Sequence, residues 1–205
     1  MASTYLTRTP LSGGSETTLT ISCWFKRSKI GADQHLFSSR DSNVSSSSID
    51  EIKLTSADIL KVEAYNGSGY NYRKLTNRVF RDTAWYHLVV VYDASNSTAD
   101  DRIRIYINGS REISFSTSVN PATNLNTFWF DPVDPIVIGT DVRTLTGASN
   151  FDGSMSHVHM IDGTAYDASA FGETDATTGE WKINTSPSVT YGTNGFFILK
   201  DGNSV

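Results

Sequence analysis

Apolar and polar positions alternate with a period of two along most of this chain, in runs short enough to be strands. Thr18 to Lys26 puts Leu19, Ile21, Cys23 and Phe25 on one face and Thr18, Thr20, Ser22 and Trp24 on the other, which predicts a half-buried strand. His35 to Ser39 and Ile52 to Thr55 predict shorter strands, separated by the serine run Ser45 to Ser48, which reads as a solvated loop. Leu60 to Tyr65 alternates again and stops at Asn66-Gly67-Ser68-Gly69, residues that tolerate the positive φ of a tight hairpin turn. The principal hairpin is Trp85 to Tyr92, a polar loop from Asp93 to Asp101, and Arg102 to Asn108 closed by Gly109. A slip of one residue would expose Ile103, Ile105 and Ile107 together and bury Arg102 and Arg104, so its register is well specified.

Asn124 to Asp134 is aromatic-rich but broken by Pro132 and Pro135, which predicts an irregular approach to the short strand Ile136 to Gly139. Phe151 to Asp162 alternates once more. Beyond it, Tyr166 to Phe171 has the makings of one helical turn, Gly172 to Gly179 reads as a polar turn region, and Gly195 to Leu199 is the last apolar run. No repeat of 20 to 50 residues and no heptad pattern is present. Regularly spaced strands with turn signals predict an all-β, two-sheet antiparallel sandwich. One domain over residues 1–205 is expected, with its core at about 18–163 and a C-terminal extension, 164–205, packing on it.

Composition sharpens this picture at three points. Charged residues are 19% of the 205 and hydrophobic ones 38%, a balance that argues against disorder. The net charge is −5 with no Lys/Arg run, so nothing would neutralise a row of phosphates and nucleic acid is not an expected partner. Cys23 is the single cysteine, which excludes an intrachain disulfide. Met1 to Pro10 lacks a signal-like pattern and no stretch approaches the roughly 18 apolar residues of a membrane span, so synthesis in a cytoplasm and no membrane insertion are expected.

The order Ile21-Ser22-Cys23-Trp24-Phe25-Lys26, Trp85 to Asp93, Arg104-Ile105-Tyr106-Ile107-Asn108-Gly109, Ile138-Gly139 and Phe151-Asp152-Gly153 resembles the laminin G-like branch of the concanavalin A-like lectin/glucanase superfamily. That resemblance implies a jelly roll used for binding or assembly, not catalysis. A second resemblance, carried by Met1 to Pro10, Ile161 to Ala165, Phe171 to Asp175 with Thr178 to Trp181, and Tyr191 to Leu199, is to structural proteins of tailed bacteriophages. It implies a virion location after assembly in a host bacterial cytoplasm, as a capsid decoration or a tail fibre or knob module. The expected partners are other virion proteins, further copies of the chain in a symmetric homo-oligomer, and a host-surface glycan. A carbohydrate-binding, lectin-like module is the alternative reading, and a glycoside hydrolase the least favoured.

The candidate chemistry is sparse, and no catalytic, cofactor or metal residue is assigned. Glucanases of this fold resemble one another in a strand motif of alternating carboxylates, because retaining hydrolysis needs two carboxyl groups about 5 Å apart. Here Glu173-Thr174-Asp175 lacks the third carboxylate and reads as a solvated turn. His157 and His159 would project from one face of their strand, as two zinc ligands would, but nothing completes a site; His35 and His87 read as structural. Asp93, Asp100 and Asp101 flank the loop where laminin G-like relatives similarly hold calcium, although the spacing of a dedicated calcium loop is missing and a plain polar loop is the preferred reading. Trp24, Tyr65, Tyr70, Tyr72 and Phe128 to Phe130 are candidates for stacking on sugars or on a neighbouring subunit, core packing being the leading explanation for at least half of them.

Overall fold

The computed structural model describes residues 4–145, 147 and 149–200; Met1 to Ser3 of the opening segment and 201–205 of the C-terminal extension lie outside the described residues. The strands in chain order are β1 (Leu6–Arg8), β2 (Thr18–Arg27), β3 (Gln34–Ser39), β4 (Ile49–Leu54), β5 (Ile59–Tyr65), β6 (Tyr70–Val79), β7 (Tyr86–Asp93), β8 (Ile103–Ile107), β9 (Ser110–Arg111), β10 (Phe115–Val119), β11 (Ile136–Ile138), β12 (Gly153–Asp162), β13 (Gly172–Thr174), β14 (Trp181–Ile183) and β15 (Phe196–Ile198). They form a seven-stranded sheet in the order β1-β11-β3-β4-β5-β6-β10, a six-stranded sheet in the order β15-β12-β2-β7-β8-β9, and the separate hairpin β13-β14. The protein is an all-β jelly roll with two large antiparallel sheets, as the alternation and the resemblance predict.

Between the sheets lies the core that the apolar positions specify. Leu19, Ile21, Cys23 and Phe25 of β2 are all buried there, joined by Leu88, Val90 and Tyr92 of β7 and by Ile103, Ile105 and Ile107 of β8. The opposite sheet contributes Ile52 and Leu54 from β4, Leu60, Val62 and Ala64 from β5, and Tyr72 from β6. Burying each such side chain contributes about 1.5–3 kcal/mol, which is why the β7-β8 register follows the isoleucines. Cys23 is a buried free thiol, and burial raises its pKa.

The second face of β2 departs from expectation. Thr20 and Ser22 are as buried as the core, at 0% and 1% exposure. The reason is the segment after Asp162, which lies across the outer face of the six-stranded sheet. Phe171 and Ala168 pack there on Val89, Val91 and Ile161. Thr20 Oγ1 donates to the Thr164 carbonyl (2.8 Å) and accepts from the Tyr166 amide (2.9 Å), so the hydroxyl face of the strand is the tail's docking template. Trp181 of β14 fixes the far end. Its Nε1 donates to His87 Nδ1 at 2.9 Å, leaving Nε2 as the protonated nitrogen facing Ser22 Oγ, also at 2.9 Å. The Trp181 ring fits only because two glycines lie under it: a methyl group added at Gly109 would come within 2.3 Å of the ring, and one at Gly172 within 2.6 Å.

One carboxylate is enclosed between the sheets. Asp50 is wholly buried, accepting hydrogen bonds from the Phe128 amide (2.6 Å) and the Tyr72 hydroxyl (3.2 Å). It ties β4 to the irregular segment that the two prolines predict. Burial pushes its pKa up to about 7, against the opposing pull of these two hydrogen bonds.

Two outcomes are expected. Replacing Trp181 by Ala costs about 2–4 kcal/mol of stability in denaturant unfolding, by removing the ring and orphaning the buried His87 nitrogen; an unchanged midpoint would show that the hairpin adds nothing to the fold. For Asp50, an unfolded carboxyl loses its proton near pH 4 whereas the folded one keeps it to about 7. The folded state therefore binds the extra proton between those values, and this group's contribution to stability declines as pH rises through that window. Asp50→Asn has no such proton, so unfolding free energies measured from pH 4 to 8 should show the variant gaining on the wild type as pH rises. A difference independent of pH would contradict this assignment.

Candidate functional site

The residues singled out from sequence are dispersed by the fold. Glu173 and Asp175 belong to the exposed β13-β14 hairpin and share Lys182 at 3.1 and 3.6 Å, while Asp175 also accepts the amides of Thr177 and Thr178. His157 and His159 both lie against the Phe197 ring (5.7 and 4.0 Å between centroids), but the simple alternation assumed for them is broken. A bulge sets His157 and Val158 opposite Cys23 alone, and His157 takes a φ of +48°. His159 Nδ1 meets the Tyr191 hydroxyl at 2.9 Å, and burial, reinforced by His157 and Lys200, brings its pKa down to about 3. His87 is lowered to about 3 as well, chiefly by burial. Both rings are neutral packing elements.

In the hairpin loop each carboxylate is held by its own neighbour. Asp93 accepts from Ser95 Oγ, Asp100 from Asn120 Nδ2 and Asp101 from Arg111 Nη2. Among the described residues no three His, Cys, Asp or Glu side chains converge as a metal site would require. Of the aromatic candidates, Tyr72, Trp129 and Phe130 are core residues. Trp24 stacks on His87 at 5.0 Å, and Tyr65 and Tyr70 pair at 5.5 Å on the hairpin that begins β6. Trp85 is 42% exposed and precedes β7, whose aromatic anchor is Tyr86 on Phe25.

Charge concentrates on the outer face of the seven-stranded sheet, where the register sets Glu51 opposite Glu63 and Lys53 opposite Lys61. Like charges directly opposite repel, and the strands resolve the conflict diagonally. Glu51 pairs with Lys61, with His35 Nε2 at 2.8 Å and with Lys53 at 3.5 Å. Glu63 takes Lys61 at 3.0 Å and Arg73 at 2.8 Å. Burial alone would raise the Glu51 carboxyl, but the hydrogen bond and charge of His35 and the two lysines hold it well below the usual carboxylate range. Every charge in this array is answered by another, which is the mark of a structural lattice.

A different arrangement occurs at the end of the sandwich where β8 and the edge strand β9 of one sheet approach β6 and the edge strand β10 of the other. The chain from Glu112 to Ser114 crosses between the sheets here, leaving a cleft of about 270 Å³. Lys74 enters it from β6. Its backbone lies opposite Val62, so the side chain follows Tyr72 toward the interior and is only 2% exposed. Lys74 Nζ donates to Ser118 Oγ at 2.6 Å and to Asn120 Oδ1, and sits 5.2 Å from the centre of the Phe115 ring. Asn120 bridges onward to Asp100. On the other wall Glu112 is bound by Arg78 at 2.8 Å and Arg111 by Asp101 at 2.6 Å, and Ile113 is 82% exposed at the lip. Burial lowers the Lys74 pKa, and Arg111 adds to this while Asp100 opposes it.

Of the residues that line this site, sequence reasoning singled out only Asp100 as a candidate for chemistry, and for a different role in the hairpin loop. Phe115 to Val119 shows no apolar alternation, and β6 was visible only through its tyrosines. The available signal was Lys74 itself, a cation at an inward position in the alternation of Tyr72, Lys74 and Thr76.

Residues 2–171 match the model of the family described as the concanavalin A-like lectin/glucanases superfamily. No curated protein matches the sequence. Among solved structures, the chain is similar to the native heptameric SAP-like pentraxin of Limulus polyphemus, with 14% identity, a TM-score of 0.53, and 97% of this chain and 90% of that one covered. It is similar to the IT-sialidase CBM40 of Ruminococcus gnavus bound to α2,3 sialyllactose, with 18% identity, a TM-score of 0.51, and coverage of 73% and 89%. Domains LG4-5 of the mouse laminin α1 chain align with 9% identity, a TM-score of 0.52, and coverage of 95% and 44%.

Proposed function

Because the chain belongs to the concanavalin A-like lectin/glucanases superfamily, we propose that it is a carbohydrate-binding, lectin-like module whose sugar enters the cleft between β6, β8, β9 and β10. The observation that carries this reading is the mixture of groups around one small concavity. A sugar presents hydroxyls that donate and accept, together with apolar C–H faces. The cleft offers carboxylate acceptors in Asp100 and Glu112, donors in Lys74 and Arg111, and the ring of Phe115. Its volume of about 270 Å³ lies near the lower end of small-molecule pockets, roughly 300–1,000 Å³, and suits one or two sugar rings. The Ruminococcus module with its bound sialyllactose supports a sugar as a ligand compatible with this architecture.

The reading is one of binding without turnover. The virion role implied by the second resemblance gains no support from the matches described above, which favour the carbohydrate alternative. Self-association belongs to the same proposal, since symmetric copies would raise avidity for a glycan-bearing surface; the heptameric Limulus protein shares only the fold. A glycan array followed by calorimetry is the test. Saturable binding of a defined glycan is expected, weakened about tenfold or more by Phe115→Ala. An array without binding, or full affinity in the variant, would overturn the proposal.

A further inference from the structure

Resting on the glycan reading, we infer that the cleft selects sugars bearing a carboxylate, and that Lys74, assisted by Arg111, is the residue that recognises it. The argument begins from what a buried cation requires. An ammonium removed from water is costly unless an anion answers it, and on the outer face of the same sheet Glu51 and Glu63 provide such answers for Lys53 and Lys61. Lys74 is treated differently. It is 2% exposed, yet among the described residues no carboxylate forms an ion pair with it. Its hydrogen-bond partners are a neutral hydroxyl and a neutral amide, and Asp100, whose charge favours the ammonium, is bonded to that amide and not to Lys74 itself.

An ammonium carries three donors, and two of them are used. The third is available where the cleft is, and a carboxylate there would complete both the hydrogen bonding and the charge. Arg111 adds hydrogen-bond donors on the same wall: its charge is paired with Asp101, but its hydrogen bonds among the described residues engage only Nη2, to the Asp100 carbonyl at 3.0 Å and to Asp101. Of the two acids lining the cleft, Glu112 is neutralised by Arg78 and also accepts the Ser114 amide, while Asp100 keeps its charge, answers Lys74 only in part and holds Asn120; their remaining lone pairs suit sugar hydroxyls. Phe115 beneath the ammonium would meet the apolar face of the ring whose carboxylate Lys74 holds.

The test compares two probes that differ only at one carbon: methyl β-D-glucuronide, with a carboxylate, and methyl β-D-glucoside, with a hydroxymethyl group. Affinities are read by NMR shift perturbation and calorimetry on the whole chain. The glucuronide should bind about tenfold or more tightly than the glucoside, the worth of one hydrogen bond to a charged group, and should shift the Phe115 ring and Lys74 side-chain signals. Lys74→Met keeps the aliphatic stem and should abolish the preference. Because Lys74 is buried, that variant can fail to fold; Arg111→Gln, at a more exposed position, should then reduce the preference, and the wild-type Lys74 and Phe115 shifts need no variant. Equal binding of both probes with Phe115 shifting would overturn this inference and leave the glycan reading standing. Binding of neither probe at the cleft while other, uncharged glycans bind there would also overturn it, and absence of any glycan binding would remove both.

Discussion

The antiparallel pairing of β2 with β7 is the constraint on which the rest of the molecule depends, because this pair is buried on both faces. Its register aligns Thr18 through Phe25 with Asp93 through Tyr86. One face supplies Leu19, Ile21, Cys23 and Phe25 with Leu88, Val90 and Tyr92 to the core between the sheets. The other supplies Thr20, Ser22, His87, Val89 and Val91 to the C-terminal segment. Since side chains alternate across a strand, a one-residue shift would exchange the two sets and lose both interfaces at once. The hydroxyls on the tail-facing side are consistent with that role. They satisfy the backbone of an irregular segment that could not satisfy itself, as Thr20 does for Thr164 and Tyr166.

Three of the settings in which this protein places polar groups show how the surroundings determine what each group can do. On the outer face of the seven-stranded sheet, charges answer one another diagonally and hold the strands in register. Inside the sandwich, Asp50 is answered by a neutral hydroxyl and an amide, and it therefore favours its protonated form more than an exposed carboxyl does. At the cleft, Lys74 is answered by neutral groups but has open space beside it. The first arrangement has no capacity left for a ligand, the second has no access, and the third has both. That contrast is why a binding reading attaches to the end of the sandwich, where the edges of the two sheets meet.

The fold was legible to a considerable depth. The alternation of Leu19 to Phe25 and of Ile103 to Ile107 specified inward faces because period-two patterning leaves a strand only two choices. The prolines at 132 and 135 marked an irregular segment for an equally local reason. Several strands were not legible. Leu6 to Arg8 and Phe115 to Val119 are edge strands held by backbone pairing to β11 and β6, and an edge strand needs no apolar pattern of its own. The polar face of β2 looked solvent-facing because the segment that covers it lies more than 130 residues away in sequence.

What the sequence determined by itself was therefore local: strand periodicity, turn positions, the absence of a disulfide, and the family resemblance carried by ordered short motifs. Only the tertiary structure decided which residues share a site. Lys74, Asp100, Arg111 and Phe115 come from a strand, a loop and two edge strands, and nothing in the order of the chain joins them. It likewise decided that His157 and His159 pack against other rings, since the β2 strand that the bulge faces and the Phe197 ring belong to other parts of the chain. The physical reason is the same in each case. Periodicity is a property of neighbours along the backbone, whereas a site is made by side chains that meet only after two sheets have closed on one another.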